Sequence, residues 1–147
     1  ELHNEQGLMQ ALETQGTRSR RYNNPLSLIQ MYIIDFEKSD DRNNILAAIG
    51  HFLNDQLRWA DMAGRSDNNK FLFILPETQK EAANQLAEKV SQQLSKINTG
   101  AGNQPANMNI YYGVTSWGKG DDMGKLMKRV EQKVAIAKKE AVSAPTD

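Results

Sequence analysis

Met62-Ala63-Gly64-Arg65-Ser66-Asp67-Asn68-Asn69-Lys70-Phe71-Leu72-Phe73-Ile74-Leu75-Pro76 is the stretch on which the fold turns. Two short β-prone segments, 62–66 and 70–75, flank the turn-forming cluster Asp67-Asn68-Asn69, and Pro76 closes the second segment. The spacing predicts a hairpin. Immediately after it, Thr78-Gln79-Lys80-Glu81 has the capping-box pattern and opens a helix with Ala82, Leu86, Val90, Leu94 and Ile97 on one face. Before the hairpin, apolar residues recur at Ile45, Leu46, Ile49, Phe52, Leu53 and Leu57 with helical spacing, and Asp40, Asp41 or Asn43 offers a cap.

Further out, Leu26 to Ile34 is a β-rich apolar run, which reads as a buried strand, and residues 108–116 give a fourth strand. Helical patterns at 6–14 (Leu8, Met9, Leu12) and 122–140 (Leu126, Val130, Val134, Ala137) bracket the chain, with residues 17–24 expected as a loop. The order is helix, strand, helix, hairpin, helix, strand, helix. It predicts an α/β sandwich in which a layer of helices covers a mixed, ferredoxin-like sheet. The expected division is one domain over 1–140 and a C-terminal linker over 141–147.

Composition narrows the functional classes. The chain has 147 residues, enough for one domain with a real core, and its 18 basic and 18 acidic residues cancel. No global field advertises nucleic acid or membrane, so neither is expected as a partner. The absence of cysteine excludes disulfides, thiol catalysis and zinc–thiolate sites and suits a reducing cytoplasm, the expected location. No apolar run reaches membrane-span length, the first residues are no signal peptide, and a start without Met suggests a piece of a longer protein.

The hairpin also carries a resemblance. Arg65 to Thr78 resembles the R-Y-G-G-D-E-F, strand and P-x-T succession of the GGDEF (diguanylate cyclase) family. Pro25-Leu26-Ser27-Leu28-Ile29 resembles that family's P-L-S-L-L, and 4–12 its N-R-x-x-F/L-x-x-x-L helix. Residues 85–90, 112–116 and 130–138 are similar to its L-A-E-x-I/V, I-G-V-A-S and A-D-x-A-L-Y-x-A-K. The resemblance runs over nearly the whole chain and implies a bacterial domain of cyclic di-GMP signalling.

Departures from the pattern shape the functional expectation. Active family members hold two magnesium ions on acids of the first strand and of the hairpin, and magnesium demands hard oxygen ligands. Here those positions are Tyr32 and Ile34, then Asn69 and Lys70. The signature itself reads Asp67-Asn68-Asn69-Lys70-Phe71, which loses the glycines that let backbone approach phosphate. The stretch between Phe36 and Ile45 is shorter than in the family. Lys138 keeps the place of a phosphate-contacting lysine, but the arginine expected four residues later is Val142. The expectation is a degenerate domain that is not an enzyme, with no catalytic residues, no metal and no cofactor.

One feature of the resemblance is intact. Arg58-Trp59-Ala60-Asp61 matches the R-x-x-D that binds cyclic di-GMP in many relatives, and Lys89 falls where a second basic residue of that site often comes from. A guanidinium fork suits phosphate or guanine, and a carboxylate can accept from guanine N–H groups. An ordinary ion pair near a helix end explains the same spacing. The resemblance implies a regulatory module binding cyclic di-GMP at Arg58, Asp61 and Lys89, beside a sensory or EAL domain or a partner protein. The alternative is a nucleotide-independent docking or homodimerisation module. His51, the scattered methionines and Arg18, Arg20 and Arg21 read as surface or packing residues. Lys125, Lys128, Arg129, Lys133, Lys138 and Lys139 read first as a solvated helix face.

Overall fold

A run such as Leu26 to Ile34 stays apolar at consecutive positions because both of its faces are covered. In the computed structural model this is what happens. Residues 5–22, 24–34, 42–58, 61–67, 70–94 and 109–143 are described. They form α1 (Glu5–Tyr22), β1 (Leu26–Ile34), α2 (Arg42–Gln56), β2 (Met62–Asp67), β3 (Lys70–Pro76), α3 (Lys80–Leu94), β4 (Asn109–Ser116) and α4 (Met123–Ser143). The strands make one sheet in the order β2-β3-β1-β4.

The α/β class stands, with two refinements. All three pairings are antiparallel, so the sheet is not mixed in strand direction. A helical crossover that skips one position leaves the intervening strand free to run the opposite way. Helices also cover both faces rather than one. Side chains alternate across a strand, so Ile29, Met31, Ile33, Phe71, Phe73 and Leu75 meet Ile49 and Leu53 of α2 and Ala83, Ala87, Val90 and Leu94 of α3. The alternate residues Leu26, Leu28, Leu72 and Ile74 meet Leu8 and Leu12 of α1 and Leu126 and Val130 of α4.

Several boundaries move. The residues expected as a loop over 17–24 extend α1 by two turns. Gly16 lets the Trp117 ring pack there, since a Cβ would lie 3.0 Å from it. α2 begins at Arg42, so Asn43 lies inside its first turn and is not its cap; Asp40 and Asp41 fall outside the described residues. The capping box at Thr78 does not form. The first backbone bond of α3 runs from the Ala83 N–H to Gln79 O, and the Thr78 hydroxyl donates to Pro76 O at 3.0 Å instead. The buried face of α3 turns accordingly, with Ala83 and Ala87 inside, Leu86 half-buried and Ala82 exposed. α4 continues through Ser143, three residues into the expected linker. Asn68, Asn69, Trp59, Ile97, the 98–104 loop and the last four residues lie outside the described set.

Candidate functional site

α2 ends at Gln56 and β2 starts at Met62, and the five residues between them must reverse the chain. Arg58 and Asp61 close that reversal twice over. The Asp61 N–H donates to Arg58 O at 3.0 Å, and the Arg58 N–H donates back to Asp61 Oδ2 at 3.0 Å. The guanidinium then folds over the carboxylate, with Nε 3.2 Å from Oδ2 and Nη2 3.0 Å from Oδ1. Nη2 also reaches Pro76 O at 3.0 Å and Thr78 Oγ1 at 2.5 Å. One arginine thus ties the entry of β2 to the exit of β3 and the approach to α3.

The pair is unequal in exposure. The Arg58 side chain is 57% exposed and that of Asp61 only 3%. Asp61 holds the Arg58 pKa above its ordinary value, chiefly through their hydrogen bond, so the guanidinium stays charged. Arg58 Nη1 points to no partner among the described residues, which leaves part of the fork for a ligand. An open cavity of about 640 Å³ lies beside it, lined by Arg58, Asp61, Thr78, Glu81, Gln85 and Leu86 among others.

Of the three residues singled out in the sequence, Arg58 and Asp61 are brought together and Lys89 is not among those lining the cavity. Lys89 is exposed on α3, one turn beyond Gln85, which does line it. Sequence reading missed Thr78 and the Pro76 carbonyl as partners of Arg58. The P-x-T succession was visible, but Thr78 was assigned to a helix cap.

The other end of the sheet holds the hairpin signature. Phe71 is buried in the core and Lys70 is half-buried; Asn68 and Asn69 lie outside the described residues, as does the Asp67 side chain. Lys70 and Tyr111 flank Tyr32 across the strands, and the Lys138 ammonium sits 4.8 Å from the Tyr32 ring centroid. A phenol and two ammonium groups do not suit magnesium, which takes oxygen ligands of hard character. Among the described residues no group of three or more His, Asp or Glu could hold a metal ion.

The basic face of α4 is less solvated than its sequence suggests. Arg129 donates from Nη2 to Asp121 Oδ1 at 2.5 Å, and from Nη1 to Asp121 Oδ2, Thr115 Oγ1 and Ser116 O, each at 3.1 Å. Lys133 donates to Val114 O at 2.8 Å. Together with Lys138, half of the six cations are therefore anchored on the sheet.

A family model described as "Diguanylate cyclase, GGDEF domain" matches residues 1–143. The chain belongs to the GGDEF family. Diguanylate cyclase DgcP of Pseudomonas aeruginosa is 26% identical over 145 residues, covering 94% of this chain and 22% of that protein. This domain thus spans about a fifth of that relative.

Solved GGDEF structures share the fold. The active GGEEF domain of a diguanylate cyclase from Vibrio cholerae superposes with a TM-score of 0.86 at 24% identity, covering 95% of this chain and 93% of that one. The GGDEF domain of DgcB from Caulobacter crescentus, in complex with c-di-GMP, gives 0.86 at 13% identity, with 95% and 85% covered. SiaD of Pseudomonas aeruginosa, in complex with its activator SiaC, gives 0.85 at 23%, with 95% and 56% covered. These findings correct one expectation. The chain was read from its sequence as not an enzyme, yet the family and the curated relative it matches are named for diguanylate cyclase activity. Acidic residues missing from expected positions do not by themselves remove a domain from an enzyme family. Among the described residues no helix is long and apolar enough to cross a membrane.

Proposed function

We propose that this domain is a regulatory receptor for cyclic di-GMP, acting in the cytoplasm beside a sensory or EAL domain or a partner protein. The observation that carries this reading is the half-exposed Arg58 fork standing on the wall of a cavity of about 640 Å³, a volume within the usual range of small-molecule sites. Arg58 supplies charge-assisted hydrogen bonds to phosphate or to a guanine edge. Asp61, nearly buried, acts as a positioning residue that fixes the guanidinium plane and keeps it charged. Gln85 offers amide donors and acceptors on the facing helix, and Lys89, one turn further, contributes long-range attraction to the phosphates.

A second reading has its own observation. Arg58 and Asp61 already close a turn with their own hydrogen bonds, as a structural clamp would. A docking or dimerisation module that needs no nucleotide would keep the pair for that purpose. Calorimetric titration with cyclic di-GMP separates the two. The receptor reading expects micromolar or tighter binding that disappears in Arg58→Ala and weakens a few-fold in Lys89→Ala. A folded wild-type sample that gives no heat leaves the docking module.

A further inference from the structure

α3 carries a capping signal that its start does not use. Thr78-Gln79-Lys80-Glu81 sets a hydroxyl three residues before a glutamate, the pattern that caps a helix when the hydroxyl accepts from the N–H three residues on. Instead the helix starts one residue late, and its first backbone bond runs from the Ala83 N–H to Gln79 O. The N–H groups of Glu81 and Ala82 come before that bond, among those that a helix start leaves open. A start at Thr78 would serve both, Glu81 through the Thr78 hydroxyl and Ala82 through the Thr78 carbonyl.

What occupies the hydroxyl is Arg58. Its Nη2 carries two hydrogens and has three acceptors in reach: Thr78 Oγ1 at 2.5 Å, Asp61 Oδ1 at 3.0 Å and Pro76 O at 3.0 Å. Pro76 O is also taken by the Thr78 hydroxyl, at 3.0 Å. One of the three contacts is always made at the expense of another, so Thr78 gives up the guanidinium for less than a full hydrogen bond. The Thr78 carbonyl is held as well. Ser27 Oγ donates to it at 2.7 Å and lies 2.9 Å from Ser116 Oγ at the end of β4. Arg58, Thr78, Gln79, Glu81 and Ala82 all line the cavity of about 640 Å³, so a ligand there meets the fork and the helix start together.

We propose that Thr78 is a positioning residue of the Arg58 site and passes its occupancy to α3. In the present arrangement the hydroxyl holds the fork against the cavity wall. A phosphate or guanine edge that draws the guanidinium outward frees the hydroxyl, and Thr78 then caps α3 one residue earlier. Its carbonyl turns from Ser27 to Ala82 in the same step. The Ser27 hydroxyl is left to Ser116, which carries the change to β4. The trigger rests on the receptor reading above, whereas the exchange of partners at Thr78 belongs to the chain itself.

Arg58→Ala reproduces the release without any ligand. In the 147-residue chain, exchange of the Glu81 and Ala82 amides with water is followed by NMR, with Val90 deeper in α3 as the reference. Both amides should slow about fivefold in Arg58→Ala, the effect of one N-cap bond. Adding Thr78→Ser to that variant should keep the slowing, and adding Thr78→Val should abolish it. Unchanged or faster exchange in Arg58→Ala, or slowing that survives Thr78→Val, overturns the switch. Cyclic di-GMP added to the wild type should slow the same two amides. Heat of binding without that slowing also overturns the switch and leaves the receptor standing. No heat, with the Arg58→Ala response intact, removes the trigger through failure of the receptor reading alone.

Discussion

Glu77 stands at φ +52°, in the left-handed region where a side chain costs about 1–2 kcal/mol and glycine costs little. It sits between Pro76, whose carbonyl Arg58 holds, and Thr78, whose hydroxyl Arg58 also holds, so the clamp fixes the residue on both sides. Glu77→Gly should therefore raise stability by about 0.5–1 kcal/mol after the extra chain entropy of glycine is subtracted. A higher urea midpoint with an unchanged slope is the expected result. Arg58→Ala should act in the other direction. It takes the guanidinium from a carboxylate that is almost fully buried and leaves it the backbone N–H of residue 58 on Oδ2; loss of a buried acceptor's partner costs about 1–3 kcal/mol, and the retained bond and the exposed position of Arg58 favour the lower half of that range. Urea denaturation of the variant, in the absence of nucleotide, measures this structural share by itself. The Arg58–Asp61 pairing was legible in the sequence as a spacing. Its further bonds to Pro76 and Thr78 were not, because partners 18 and 20 residues away depend on the return of β3.

Elements were easiest to read where burial is two-sided or periodic. β1 appears as Leu26–Ile34 in both readings, because nine consecutive β-prone residues between a proline and a polar stretch admit little else. α1 was cut short because Thr14, Gln15, Gly16 and Thr17 look like a helix end. Their stability as helix comes from Trp117, a partner about a hundred residues downstream. α4 was placed to within a residue at its start, where Asp122 Oδ1 accepts from the Lys125 N–H at 2.8 Å and caps the first turn. Asp122→Ala should cost about 1 kcal/mol, read as a lower melting temperature. The close approach of α4 to β4 was invisible, since it depends on a missing side chain. At Gly113 a Cβ would lie 2.7 Å from Lys133 Cβ and 2.9 Å from both Val130 O and Val134 N. Gly113→Ala has to push helix and strand apart, and overpacking of this kind costs about 1–3 kcal/mol, again measurable in urea.

At the scale of the whole molecule, three layers meet through polar ties at the sheet's ends, and one of these ties titrates. Arg129 holds the Asp121 carboxyl below its ordinary value, mainly by hydrogen bonding, with the Gly118 N–H helping at 2.7 Å. The folded state therefore binds this proton less readily than the unfolded chain. The stabilisation is complete above the unfolded carboxylate range and is lost as pH falls through the lower folded value. Between pH 5 and pH 3 the wild type should lose stability more steeply than Asp121→Asn, which starts lower and titrates less; parallel urea melts across that range would contradict it. The layered arrangement was half legible. The apolar run of β1 read as a buried strand, but a single covering layer of helices was expected, because helix periodicity alone does not say which face each helix takes.

The paired cations of α4 have one more consequence. A bare edge strand is a template on which another chain can add, and fibres grow by repeating that step. By occupying Val114 O and Ser116 O, Lys133 and Arg129 take away two successive acceptors that an incoming strand would need. The helix thus guards this edge against strand addition, through the same residues that tie it to the sheet.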